Sequence, residues 1–133
     1  MIVADTNLIA YFLLPSDESA GAEAVFRKDQ EWASPYLWRS ELRNVLTQYI
    51  KRNVLSLRQA LDVMADAETL LHGREFSVSS EPIIRLAAES GCSAYDCEFV
   101  ALAERLGVSL VTSDSQILGA FAETAISPAK FVQ

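Results

Sequence analysis

The sequence predicts an α/β fold: a three-layer α/β/α sandwich around a central, mostly parallel sheet of about five short strands. Three observations carry this. Short runs of strand-forming residues alternate with longer stretches at helical spacing, the pattern of a parallel sheet covered by helices. Two of the runs, Ile2-Val3-Ala4 and Leu110-Val111-Thr112, are the most hydrophobic, as strands buried on both faces are. Both then break into polar residues that include a carboxylate, Asp5 after the first and Asp114 after the second. In open α/β sheets ligands bind beyond the carboxyl ends of the strands, so those two acids mark the edge to watch.

The elements follow in order. Ile2–Ala4 is the first strand, and a short helix with Leu8, Ile9, Phe12 and Leu13 runs up to the break at Pro15-Ser16-Asp17. Ser19 caps a second helix to about Lys28, with Ala22, Val25 and Phe26 inward. Glu31-Trp32-Ala33 is a strand closed by Ser34-Pro35. Leu37 to Arg52 is the clearest amphipathic helix, its stripe running Trp38, Leu42, Val45, Leu46, Tyr49 and Ile50. Ser56 caps a further helix to about Leu71, ended by His72-Gly73. Phe76-Ser77-Val78 is a strand. Ser80 caps a helix with Pro82 in its first turn, a favoured place for proline, and Gly91 ends it. Ser93 or Ala94 to Leu106 is helical and stops at Gly107, a left-handed cap. Ser109–Thr112 is the second buried strand, followed by a short helix through Leu118 and Phe121 and a last strand at Ala125-Ile126. No repeat, low-complexity segment or linker interrupts the pattern, so residues 1–133 are expected to form a single domain.

Bulk properties narrow the function. Half the residues are hydrophobic, so a real core is available. No apolar run approaches the roughly 20 residues of a membrane span, and the start lacks the basic region of a signal peptide, so a cytoplasmic location is expected. Cys92 and Cys97 form no C-x-x-C pair and have no His/Cys company for zinc; they read as buried free thiols. His72 is the only histidine and stands alone, which argues against a Ser-His-Asp triad. A net charge of −7 argues against a broad basic face for nucleic acid. It allows an acidic site neutralised by metal, and a basic partner.

Two helical carboxylates join Asp5 and Asp114. Leu37, Trp38, Glu41, Leu42 and Val45 are three or four residues apart and share a face, so Glu41 lies on or beside the buried stripe. Asp96 is followed by Phe99, Val100 and Ala103 at the same spacing. Each acid has a plain alternative: helix capping for Asp5, dipole stabilisation for Asp96, a salt bridge to Arg39 or Arg43 for Glu41. None of these explains why all four converge in pattern, and if they meet, the physics narrows the options. Two charges ~5 Å apart repel by roughly 3 kcal/mol at an effective dielectric of about 20. Such a cluster holds protons or binds a cation. All-oxygen ligation suits Mg²⁺ or Mn²⁺ rather than zinc, and a hard divalent ion with open water positions suits phosphodiester hydrolysis.

The motifs Val3-Ala4-Asp5-Thr6-Asn7, Ser40-Glu41-Leu42, Ser93-Ala94-Tyr95-Asp96 with Val100-Ala101-Leu102-Ala103-Glu104, and Leu110-Val111-Thr112-Ser113-Asp114 are short, but they span the chain in order. Together they resemble the PIN-domain ribonucleases, in particular the VapC-like toxins of type II toxin–antitoxin systems. The resemblance implies a PIN-like α/β/α sandwich and an Mg²⁺- or Mn²⁺-dependent endoribonuclease. Asp5, Glu41, Asp96 and Asp114 would carry the metal and the attacking water. Thr6, Asn7 and Thr112 would orient those carboxylates, and Arg39 and Arg43 are candidate contacts to the RNA backbone. It also implies a homodimer and a small antitoxin whose basic or aromatic tail plugs an acidic groove. The sequence departs from the family pattern at Cys97-Glu98-Phe99, where small and aromatic residues are more usual, and at Ser115-Gln116-Ile117, where some relatives carry another acid.

Other readings are weaker. Haloacid-dehalogenase-like phosphatases want D-x-D after the first strand, and this chain has Asp5-Thr6-Asn7. Response-regulator receivers want an acidic pair with a lysine, and Lys130 is the only lysine after Lys51. A housekeeping RNA-processing nuclease or a catalytically silent interaction module would share the fold; the presence of all four acids argues against the silent module.

Overall fold

Five strands and eight helices make up the computed structural model, which describes residues 1–133. The strands are β1 (Ile2–Ala4), β2 (Trp32–Pro35), β3 (Glu75–Phe76), β4 (Leu110–Val111) and β5 (Ala125–Ile126). They pair in the order β3-β2-β1-β4-β5, and every pairing is parallel. The helices are α1 (Thr6–Leu13), α2 (Ser19–Lys28), α3 (Leu37–Lys51), α4 (Leu57–Leu70), α5 (Ser80–Glu89), α6 (Ala94–Leu106), α7 (Ser115–Ala120) and α8 (Pro128–Phe131).

The chain winds outward from β1 to β2 and β3, then returns past β1 to β4 and β5. Right-handed crossovers in opposite directions put their helices on opposite faces of the sheet. The helices α1 to α4 accordingly pack on one another, while α5 packs on α6 and α6 lies along β1, β2 and β4. This is the α/β sandwich expected from the alternation of strand and helix patterns. The strand order reverses at β1, which makes the crevice between β1 and β4 the topological switch point where such sheets bind ligands.

The core is one cluster of 30 buried residues. Trp32 and Trp38 are its largest fully buried members, each with an indole N–H satisfied: Trp32 donates to the Asp29 carbonyl at 2.8 Å and Trp38 to Glu75 at 2.9 Å. Phe12, Phe26 and Trp32 pack ring against ring, with centroids 4.6 to 5.8 Å apart. Each buried side chain of this size contributes about 1.5–3 kcal/mol. Cys92 and Cys97 are free and buried, as expected.

Local signals locate most helix ends. Gly107 ends α6 at φ 67°, and Gly73 follows α4 at φ 78°, both in the left-handed region that favours glycine. Ser56 caps α4 in a full capping box: its hydroxyl accepts from the Gln59 N–H at 3.1 Å, and Gln59 accepts from the Ser56 N–H at 2.9 Å. Ser19 does other work than expected. Glu18 holds the cap position of α2, while the Ser19 hydroxyl accepts from the Ser16 N–H and donates to the Leu14 carbonyl, closing the Pro15 turn. Ser80 likewise sits inside α5, behind Ser79 at the cap position. The tail adds α8, with Pro128 at its first position and Ser127 as its cap.

Ser56→Ala is expected to lower unfolding stability by about 1 kcal/mol. Urea denaturation checks this, and an unchanged midpoint at equal m-value would show that the capping box carries no net stability.

Candidate functional site

Asp5 is the first residue beyond β1 and the N-cap of α1, so the two plain readings of this residue are not exclusive. Its Oδ1 accepts from the Leu8 N–H at 2.8 Å and caps the helix. Its Oδ2 accepts from the Thr112 hydroxyl at 2.5 Å. The β1–β4 register, Val3 beside Leu110 and Ala4 beside Val111, carries on by one step to place Asp5 beside Thr112. Thr112 Oγ1 in turn accepts from the Asp114 N–H at 3.1 Å. A single chain of donors therefore links the two carboxyl-terminal strand ends. Below it, the buried Ser34 hydroxyl donates to the Ala4 carbonyl and ties β2 to the end of β1.

The other carboxylates arrive on separate elements. Glu41 comes from α3, half-buried, with Oε1 accepting from the Thr6 hydroxyl at 2.6 Å. The salt bridge to Arg39 or Arg43 does not form. Asp96 enters from the first turn of α6, where the Ser93 hydroxyl accepts its N–H at 3.1 Å. Asp114 caps α7, its Oδ1 accepting from the N–H groups of Gln116 and Ile117 at 2.9 and 3.0 Å.

All four acids line one cleft of about 240 Å³, together with Thr6, Asn7, Asn44, Val45, Phe99 and Ile117. No lysine, arginine or histidine reaches it. The electrostatics follow. Burial pushes the Asp5 carboxyl up from 3.8 to about 6, against the opposing hydrogen bonds from Thr112 and Leu8, and the charges of Asp114 and Glu41 add to the rise. Burial also raises Glu41, with Thr6 opposing and Asp96 adding to the rise. No three acids stand close enough together to grip one ion between them. The donor set is nonetheless all oxygen, and the cleft has room for an ion that keeps part of its water shell, as Mg²⁺ does.

The remaining expected residues divide. Thr6 and Thr112 each hydrogen-bond a carboxylate of the cleft. Asn7 lines the cleft but is exposed. Arg39 and Arg43 do not join the cleft. Each is two residues from Glu41, about 160–200° around the helix, so both project from the opposite side of α3 and neither lines the cleft. Arg39 instead grips Glu75 through Nε at 2.5 Å and Nη2 at 2.8 Å, and Glu68 through Nη1 at 2.6 Å, pinning α3 to α4 and β3. Asn44 escaped the sequence reading. It stands three residues after Glu41 on the same face, and that spacing is the signal that finds it.

A model of the PIN domain matches residues 2–125. The chain belongs to the PIN-domain family. It is similar to Ribonuclease VapC3 of Pyrobaculum aerophilum, with 28% identity over 123 residues, 90% of this chain and 94% of the relative. Among solved structures it resembles PAE2754 from Pyrobaculum aerophilum, at TM-score 0.78 and 18% identity, covering 98% of this chain and 92% of the other. It also resembles a chain of a toxin–antitoxin complex from Klebsiella pneumoniae, at TM-score 0.66 and 16% identity, covering 96% and 98%. At those identities the structural likeness speaks for the PIN fold.

The Asp5 shift carries a stability consequence. An acid whose pKa is higher folded than unfolded keeps its proton longer in the folded state. Its ionisation therefore costs the fold stability as pH rises from about 4 to about 6. The loss above that window is on the order of 2–3 kcal/mol. In chelator, Asp5→Asn is expected to melt higher than wild type at pH 7, with the gap narrowing toward pH 4. Equal melting temperatures at pH 7 would show that Asp5 is not penalised by burial.

Proposed function

We infer that the chain is an Mg²⁺- or Mn²⁺-dependent endoribonuclease and the toxin of a toxin–antitoxin pair. One observation carries the chemistry: four carboxylates from four elements line a single cleft at the switch point of the sheet, with no protein cation to neutralise them. Membership of the PIN family and the similarity to a VapC ribonuclease support RNA as the substrate.

Asp5, Glu41, Asp96 and Asp114 would hold the metal. When bound, the ion supplies a water of lowered pKa and stabilises charge developing on the phosphate. The protein's own groups do the rest. Thr112 and the Leu8 N–H hold Asp5 in one orientation from two sides, and Thr6 does the same for Glu41, as outer partners do at metal sites. With Oε1 engaged by Thr6, Glu41 keeps Oε2 free to take a proton from the attacking water. Asn7 and Asn44 bring amide donors to a cleft otherwise rich in acceptors, and these suit non-bridging phosphate oxygens or a ribose hydroxyl. The acidic cleft and the net charge of −7 fit an antitoxin that inserts a basic or aromatic segment, and the Klebsiella neighbour is itself a toxin–antitoxin complex. Action as a homodimer belongs to the same reading.

Asp5→Asn is expected to abolish Mn²⁺-dependent cleavage of single-stranded RNA, losing more than the roughly 10–100-fold that removing an orienting partner costs. Thr112→Val should fall within that lower range. Saturating Mn²⁺ should raise the wild-type stability by about 2.7 kcal/mol at a hundredfold excess over Kd, and should do so far less in Asp5→Asn. Undiminished cleavage by Asp5→Asn would remove this site from the chemistry.

A further inference from the structure

A second groove, of about 390 Å³, opens between the start of α3, the edge strand β3 and α6. Two helices join it to the cleft. On α3, Ser40 lines the groove and Glu41 the cleft; on α6, Glu98 lines the groove while Asp96 and Phe99 line the cleft. Cleft and groove therefore lie side by side along these two helices.

The walls carry the right chemistry. Tyr36 lines the groove and is 54% exposed. Its backbone is nevertheless pinned to β3, its N–H donating to the Phe76 carbonyl at 3.1 Å. An uncovered ring on a fixed backbone is a stacking platform for a base. Glu98 is half-buried, and no salt bridge or side-chain hydrogen bond engages its carboxylate. Beside Ser77 and Phe76 of the groove stands Arg105. It is exposed, its Nη1 donates to the Ser77 carbonyl at 3.0 Å, and its guanidinium lies 5.7 Å from the Phe76 ring centroid. Unlike Arg39, it makes no salt bridge. The groove thus runs from aromatic rings and a carboxylate to a free cation, which matches a base followed by a phosphate.

An ionised carboxylate only accepts hydrogen bonds. Guanine alone among the four RNA bases presents two adjacent donors, N1–H and the exocyclic amine, on its Watson–Crick edge. Adenine and cytosine set an acceptor nitrogen beside their amine, and uracil sets carbonyls on both sides of its N–H. Resting on the ribonuclease reading above, we propose that this groove is a guanine subsite for the nucleotide adjoining the cleaved phosphate. The base stacks on Tyr36, its N1–H and amine donate to Glu98, and Arg105 meets the next phosphate.

Two measurements test this on wild type, Glu98→Gln, Tyr36→Ala and Tyr36→Trp. One is Mn²⁺-dependent cleavage of single-stranded RNA oligonucleotides that differ only in the base beside the cleavable bond. The other is metal-free NMR titration with guanosine and adenosine monophosphates. Wild type should favour guanine in kcat/KM, and Glu98→Gln should cut the guanine-to-adenine ratio by about tenfold or more, as loss of a bidentate base contact does. The effect of Tyr36→Ala should fall on KM for every base, by about tenfold, with Tyr36→Trp restoring it. Guanosine monophosphate should shift the Tyr36 ring resonances at lower concentration than adenosine monophosphate in wild type, a difference that disappears in Glu98→Gln. Cleavage that ignores base identity, or a guanine preference that survives in Glu98→Gln, overturns the subsite while leaving the nuclease reading in place. Absence of cleavage by wild type, with guanosine monophosphate still perturbing Tyr36, overturns the nuclease reading and supports the subsite. Absence of any nucleotide effect at Tyr36 overturns the subsite and leaves the groove to a protein partner.

Discussion

The hydrogen bond from Thr112 to Asp5 is the contact on which the arrangement turns. Asp5 ends the central strand of the sheet, where burial penalises its charge. Two donors offset that penalty, one from α1 and one from the residue that follows β4, so the carboxylate is correctly placed only when both elements are docked. The Thr112 hydroxyl reaches it because β1 and β4 pair in one register, and a slip of one residue would turn every side chain of β4 to the other face. The same hydroxyl accepts from the backbone of Asp114 and so sets the start of α7 and the second strand-end acid. Core register and site geometry are thus one requirement.

Charge is the second constraint. The chain carries 18 acidic and 11 basic side chains, and several of the basic ones are committed to structure. Arg39 holds α3 to α4 and β3; Arg74 donates to the carbonyls of Trp32 and Leu70; Arg58 and Arg85 pair along their own helices. None reaches the cleft, which leaves its four carboxylates to be neutralised from outside. On the function proposed above, an incoming divalent ion or an incoming basic segment would answer that need. Arg105 is exposed beside the neighbouring groove and makes no ion pair.

The amino-acid sequence by itself determined the element order as far as β5, the parallel class of the sheet and the four acids at its carboxyl edge. Strand and helix periods are local properties, and Gly107, Ser56 and Ser93 mark their ends through local hydrogen bonds and backbone preferences. What a side chain meets across the fold is not local. Arg39 looked available because it adjoins Glu41 in sequence, but it projects from the opposite side of α3 and finds Glu68 and Glu75, 29 and 36 residues further on. Thr6 found Glu41 and Thr112 found Asp5 across separations of 35 and 107 residues. Asn44 entered the cleft, and Tyr36, Glu98 and Arg105 gathered around a second groove, only once α3, β3 and α6 were packed together. Periodicity says which face of an element is apolar; tertiary packing alone decides which polar groups from different faces meet, because that depends on strand order and register rather than on neighbours in the chain.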